Sequence, residues 1–292
     1  MGADPAQLLQ FAFSGVTQGS LYAFVALSLV LVYRASAAIN FAQGEFIILG
    51  ALIAASVAAA TNPFVAVLAA VLSVAALGAA TERVLIRRVP RGSVAAIIAL
   101  TIGLSLALRG LALVVWGSDA AIMDPFTDGV IRVGGAALPL QVVWIVGVGL
   151  VVLLVLWWFL EHTMAGLSLR SVADDPAGAR VVGIDPNSVS RFSWAAGAAL
   201  AGLVGALLAP LLFLNYESGT SLMIKGFVAL VIGGFTSTTG VALAGLLIGV
   251  LEGYVVGLVS SDVADGLVFT LLIGVLLLRP QGLFGRAAAV RP

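Results

Sequence analysis

Few residues in this chain could do covalent or metal chemistry. There is no cysteine, so no disulfide can form, and His162, the sole histidine, makes neither a zinc site nor a histidine-based triad without partners. GxSxG, HExxH and the Gly-rich GK[ST] loop are also absent. No catalytic residue, bound metal or cofactor is therefore expected, and the chain is read as a non-enzyme unable to hydrolyse ATP alone. What remains is a small set of polar residues in apolar surroundings. These are the run Asn40-Phe41-Ala42-Gln43-Gly44-Glu45, the single charges Arg109, Lys225 and Glu252, and one charged segment from Arg170 to Ile184. Polar groups at membrane depth are costly and face a cavity, a partner charge or a functional path.

The elements that carry them are membrane spans. The chain is 61% hydrophobic and 10% charged, and its apolar runs are long enough to cross about 30 Å of hydrocarbon as helices. They do not alternate as barrel strands would. We place spans near 10–33, 42–60, 63–82, 94–116, 141–160, 192–213, 222–236, 240–259 and 264–278. The expected fold is an all-α polytopic membrane protein of about 8–9 helices, one transmembrane domain over residues 1–292. The formal charge is zero, which points to no nucleic-acid partner. The N-terminus has Asp4 and no Lys or Arg ahead of the first apolar run, a poor signal peptide, so the first span is expected to be retained.

Charge placement orients the spans. Arg34, then Arg83, Arg87, Arg88 and Arg91, then Arg170, Arg180 and Arg191, then Arg279, Arg286 and Arg291 fall in one set of loops. Asp4, Asp119, Asp124, Asp128, Glu217, Asp262 and Asp265 fall in the other, with Arg132 as its one basic member. Basic loops mark the cytoplasmic side, which puts the N-terminus outside and the C-terminus inside. With span 5 as a connector, spans 1–4 and 6–9 have the parity of an inverted repeat. Span 7 is short and closed by Gly233-Gly234, and span 2 opens among polar residues; such interruptions mark a substrate path or hinge.

The segment 161–191 carries its own helix near 174–183. Asp174 or Asp175 can cap it, Pro176 suits its first turn, and Gly183 stops it. Ala177, Gly178 and Ala179 are small enough to let the backbone enter a partner's groove; a plain solvated connector is the alternative. Asp185-Pro186-Asn187 then starts span 6.

Three sets of residues together resemble the LivH-type permeases, membrane subunits of ABC importers for branched-chain amino acids. The first is Arg170, Val172, Ala173, Asp174, Asp175, Ala179, Arg180, Gly183 and Ile184. The second is Gly15, Gly19, Ser20, Tyr22 and Ala23 followed by Asn40 to Glu45. The third is Lys225-Gly226-Phe227, Gly233-Gly234, Gly240 and Arg279-Pro280 with Gly282-Leu283. The resemblance implies a bacterial inner-membrane subunit paired with a LivM-type paralogue, two ATPases holding ATP and Mg, and an external solute-binding protein. Segment 161–191 would then hold the coupling helix. Leucine, isoleucine or valine is the expected substrate, with urea or short amides as alternatives and a stand-alone secondary carrier behind them. Where relatives often carry His, this chain has Gln43, which cannot titrate.

Some residues read two ways. Asn40, Gln43, Gly44 and Glu45 either line a path or hinge, or lie hydrated at the cytoplasmic interface beside Arg34. Lys225 is expected to snorkel toward Glu217, to meet the binding protein, or to lie near a substrate carboxylate. Arg109 is expected to pair inside the protein, with Glu252 as the candidate partner; a substrate role is the alternative. Gly245, Gly249, Gly253 and Gly257 form one face of span 8, and Gly15, Gly19 and Gly202 (with Ala198 and Ala206) are further small-residue contacts for helix packing or a subunit interface.

Overall fold

The computed structural model describes residues 4–36, 39–90, 93–120 and 122–285; Arg91, Arg286 and Arg291 lie outside them. The helices are α1 (Pro5–Ser36), α2 (Gln43–Ala58), α3 (Pro63–Val84), α4 (Val94–Trp116), α5 (Leu140–His162), α6 (Met164–Asp174), α7 (Pro176–Val181), α8 (Pro186–Leu208), α9 (Ser218–Gly233), α10 (Thr238–Leu258) and α11 (Ser261–Leu278). Seven of them are long and apolar enough to cross a membrane. Each of the nine expected spans falls on one helix. The two that fall short, α2 and α9, have 16 residues each, or about 24 Å at 1.5 Å per residue. They hold the second place in each set of four spans.

Local chemistry sets the helix ends. The Asn62 side chain accepts from Val65 N at 2.9 Å ahead of Pro63. Asp185 accepts from Asn187 N and Ser188 N ahead of Pro186, Ser237 from Gly240 N, and Ser260 from Val263 N. Each satisfies first-turn N–H groups that have no partner within the helix. Hydrogen bonds from Ser188 Oγ and from the Asn187 and Ser188 N–H groups hold the Asp185 carboxyl below the ordinary range.

A hairpin interrupts the helical order between α4 and α5. β1 (Val130–Val133) pairs antiparallel with β2 (Ala136–Pro139), Val133 opposite Ala136. Gly134 and Gly135 turn it with φ of +56° and +87°, the left-handed pair that a two-residue hairpin turn demands. The spans read from sequence left this stretch as plain loop.

The described chain divides into two compact units. The first is formed by the chain up to Leu27, Thr127–Leu153 and Lys225 onward; the second by Ser28–Phe126 and Leu154–Ile224. In the first, α1 meets α10 on glycine: a methyl on Gly15 would sit 2.7 Å from the Cα of Val250, and one on Gly19 would sit 2.7 Å from the Cα of Leu246. Gly245 and Gly253 make the matching approach from α10 to Ala23 and Gly15, and Gly257 abuts the Phe11 ring. In the second, α8 packs on α2 and α3. A methyl on Gly50 would lie 2.6 Å from the Gly202 Cα, and one on Gly202 would lie 3.0 Å from the Ala70 carbonyl oxygen. These rows close contacts within the chain. Trp194, fully buried, anchors the second core with Val32, Ile86 and Ile97.

Candidate functional site

In the second unit the break before α2 is a closed polar knot. Asn40 Oδ1 accepts from Ala42 N at 3.0 Å, and Asn40 Nδ2 donates to Gln43 Oε1 at 2.8 Å. Gln43 Nε2 donates to the Gly197 carbonyl of α8 at 2.9 Å, and Phe41 N donates to Thr101 Oγ1 of α4 at 3.2 Å. Asn40 and Gln43 are fully buried, so their polar atoms pin the start of α2 rather than face an open path. Gly44 lets this start touch the start of α9: a methyl there would lie 2.6 Å from the Gly219 carbonyl carbon.

Glu45 follows, and it is the one acid of the break. Its side chain is 2% exposed and pairs with Arg109 Nη2 at 3.0 Å. Ser105 Oγ donates to the same Glu45 oxygen at 3.1 Å, and Arg109 Nη2 also reaches Thr220 Oγ1. Arg109 stands fifteen residues beyond Val94, about 22 Å along α4. Glu45 therefore sits deep along the helices, which overturns its reading as a hydrated interfacial residue. Arg109 does pair inside the protein, but with Glu45 and not Glu252.

Glu252 belongs to a cluster in the first unit. Lys225 of α9 contacts Glu252 Oε1 of α10 and lies 2.9 Å from Asp265 Oδ1 of α11. Tyr22 Oη donates to Glu252 Oε2 at 2.7 Å, and the Lys225 ammonium lies 5.6 Å from the Tyr22 ring centroid. The expected Lys225–Glu217 pair does not form; two acids nearer along the helices take the lysine instead. Farther along α9, Gly233 closes against Val241 of α10. Gly234 (φ +92°) ends α9, with Leu283 N donating to Ile232 O beside it.

The segment after α5 holds two helices where one is expected from sequence. Thr163 Oγ1 caps α6 by accepting from Gly166 N at 3.0 Å. A methyl on Gly166 would sit 2.7 Å from the Leu160 Cα, and Arg170 Nη1 pairs with Glu161 Oε2 at 2.7 Å, so α6 folds back on the end of α5. Asp175, not Asp174, caps α7, accepting from Ala177 N at 2.9 Å; Asp174 is the last residue of α6. Ile184 N donates to Ala179 O at 3.0 Å past Gly183 (φ +86°), the bond pattern of a glycine-terminated helix. Ala179 is buried within this fold, while Ala173, Ala177 and Arg180 are exposed. The apolar groups α7 leaves open are Val181, 87% exposed, and Val182, 74% exposed. The residues expected to enter a partner's groove thus include one, Ala179, that the chain itself covers.

Residues 11–277 match the family model described as branched-chain amino acid transport system / permease component. The chain belongs to this permease family. It is 30% identical to the high-affinity branched-chain amino acid transport system permease protein LivH of Salmonella typhimurium, over 95% of this chain and 96% of the relative. It is also 30% identical to the permease protein BraD of Pseudomonas aeruginosa, again over 95% and 96%. The ribose import permease protein RbsC of Escherichia coli is 32% identical over 82% of this chain and 74% of the relative. No solved structure matches. The permease is thus a multi-pass transport component of the cell inner membrane, and its buried charges belong to a protein whose task is moving solute.

Two features of the permease had a readable signal that the span pattern hid. Thr163 followed by Gly166-Leu167 is a cap ahead of a short amphipathic run. Val181-Val182 before Gly183 is an apolar pair in a segment otherwise rich in charge.

Proposed function

We propose that this permease is the membrane-spanning subunit of an ATP-driven importer of leucine, isoleucine and valine. The observation that carries the reading is similarity along nearly the whole chain to LivH and BraD, both of which are named for branched-chain amino acid transport. Two partner ATPases bind and hydrolyse Mg-ATP, a LivM-type paralogue completes the path, and an external solute-binding protein delivers substrate. The α6–α7 segment couples them. Val181 and Val182 enter an ATPase groove, and the α6 contact on α5, held by Gly166 and Arg170–Glu161, passes the motion to the spans. Coupling of this kind needs contacts that differ between nucleotide states of the ATPase, so an exposed apolar knob on a braced helix suits it. Lipid covers the outward faces of the spans.

The test is purification of the tagged chain from its native membrane in mild detergent with an ATP analogue. Recovery of two ATPases and a second permease is expected. Recovery of the chain alone would favour a secondary carrier. Uptake by the recovered complex, with ribose, urea and acetamide as competitors of leucine, then separates this substrate from those of related permeases.

A further inference from the structure

Arg109 is the one member of its cluster with donors to spare. Nη2 holds both Glu45 and Thr220, while Nε is buried without an acceptor and 29% of the side chain stays exposed. Its counter-ion is the opposite case: Glu45 is 2% exposed and takes a second hydrogen bond from Ser105. A guanidinium turned partly outward from a membrane helix cannot rest against hydrocarbon without a large cost. The helix end is about 10 Å away along the seven residues to Trp116, and the guanidinium is held sideways by Glu45 and Thr220 instead of reaching for that end. Its exposed edge therefore needs a polar surrounding and not lipid. Thr220 beside it is exposed as well, so the uncovered polar surface extends from α4 onto the first turn of α9.

We infer that Arg109 and Thr220 form a transient carboxylate site on the translocation path, which takes the α-carboxylate of the amino acid as it passes. This rests on the substrate proposed above. The planar guanidinium suits a carboxylate, and Thr220 adds a hydroxyl donor. Glu45 neutralises the cation when no substrate is present. The pair is therefore neutral in sum, with its cationic edge outward and its acid buried, and holds its ligand weakly enough to release it, as a path must. Glu45 itself is a positioning residue: it fixes the guanidinium and is too buried to touch solute.

This chain has no native cysteine, so Thr220→Cys gives it a single reporter, read on this subunit separated from its partners after labelling of the complete transporter, and leaves the Arg109–Glu45 pair intact. An anionic, membrane-impermeant methanethiosulfonate should label it about tenfold faster, relative to the cationic reagent, than in the Thr220→Cys, Arg109→Gln, Glu45→Gln triple variant, which loses the attracting cation without stranding a buried acid. Millimolar leucine should slow the labelling, and leucinamide, which lacks the carboxylate, should not. No labelling, no preference for the anionic reagent, or equal slowing by both compounds would overturn the site. Leucine uptake by the cysteine-free parent is measured alongside. A parent that takes up no branched-chain amino acid would refute the proposed substrate, while the reagent preference still reports on Arg109.

Discussion

The two units solve the same packing problem with different helices and put different charges inside. The first unit sets α1 against α9 and α10, by way of Gly226 on Val25 and Gly249 on Gly19, and ties α9 to α11 through Lys225 and Asp265. The second sets α8 against α2 and α3, by way of Gly50 on Gly202 and Gly78 on Trp194, and ties α2 to α4 through Glu45 and Arg109. Each unit thus packs the leading helix of one four-span set on two trailing helices of the other, and a third trailing helix is tied in by an ion pair. The polar groups do not repeat. The second unit buries the acids Glu45 and Glu82 and leaves their bases, Arg109 and Arg191, partly exposed. The first shares one lysine between Glu252 and Asp265, and there the exposed member is an acid, Asp265, at 55%. Small residues at helix crossings belong to the shared scaffold, and the charges are where the units diverge.

Equivalent damage to the scaffold should therefore have equivalent effects. Gly249→Leu in the first unit and Gly50→Leu in the second each drive a side chain into facing backbone, where no rotamer relieves the overlap, at more than the about 1–3 kcal/mol of ordinary overpacking. Both should abolish recovery of folded permease in detergent, measured by size-exclusion chromatography; survival of only one would break the parallel between the units. Next in size, Arg109→Met strands a buried carboxylate at about 3–5 kcal/mol, and thermal unfolding should show most of it restored by adding Glu45→Gln. Lys225→Met strands the buried Glu252 and also takes the cation from the exposed Asp265, so adding Glu252→Gln should restore stability only in part. Equal rescue in both units would erase the distinction between a neutral pair and a shared lysine.

Smaller effects fall on the segment after α5. Val181→Asp with Val182→Asp alters exposed positions, so stability should move by no more than about 0.5 kcal/mol, while ATPase subunits should be lost on co-purification. Retained ATPases would remove the valines from the interface. Ala179→Leu should instead lower the thermal midpoint, because Ala179 is covered by the chain itself. Smallest is the Asp185 cap. Its carboxyl is held below the ordinary value of about 3.9, so its contribution is present above that value and lost as pH falls through the lower folded value. Asp185→Asn should flatten the acid limb of the stability curve slightly; an unchanged limb would show that the cap is energetically silent.

The spans were legible because unbroken apolar runs of membrane length leave little choice of element, and the shortness of α9 showed in Gly233-Gly234. The depth of Glu45 was not legible. It depends on α2 starting against Thr101 and Gly197, contacts about 60 and 150 residues away in sequence. Ion-pair partners failed for the same reason: Arg109 and Lys225 were recognised as anomalies of charge placement, yet only tertiary packing selects Glu45 for one and Glu252 with Asp265 for the other. The Gly134-Gly135 hairpin and the Thr163 cap were local signals outweighed by the stronger span pattern.

The most direct measurement is uptake of radiolabelled leucine into proteoliposomes holding the complete complex, with binding protein outside and Mg-ATP inside. Accumulation against a gradient that requires ATP, and that isoleucine and valine suppress, is expected. Accumulation without ATP, driven by an imposed ion gradient, would contradict an ATP-driven importer and leave α6–α7 as a structural connector.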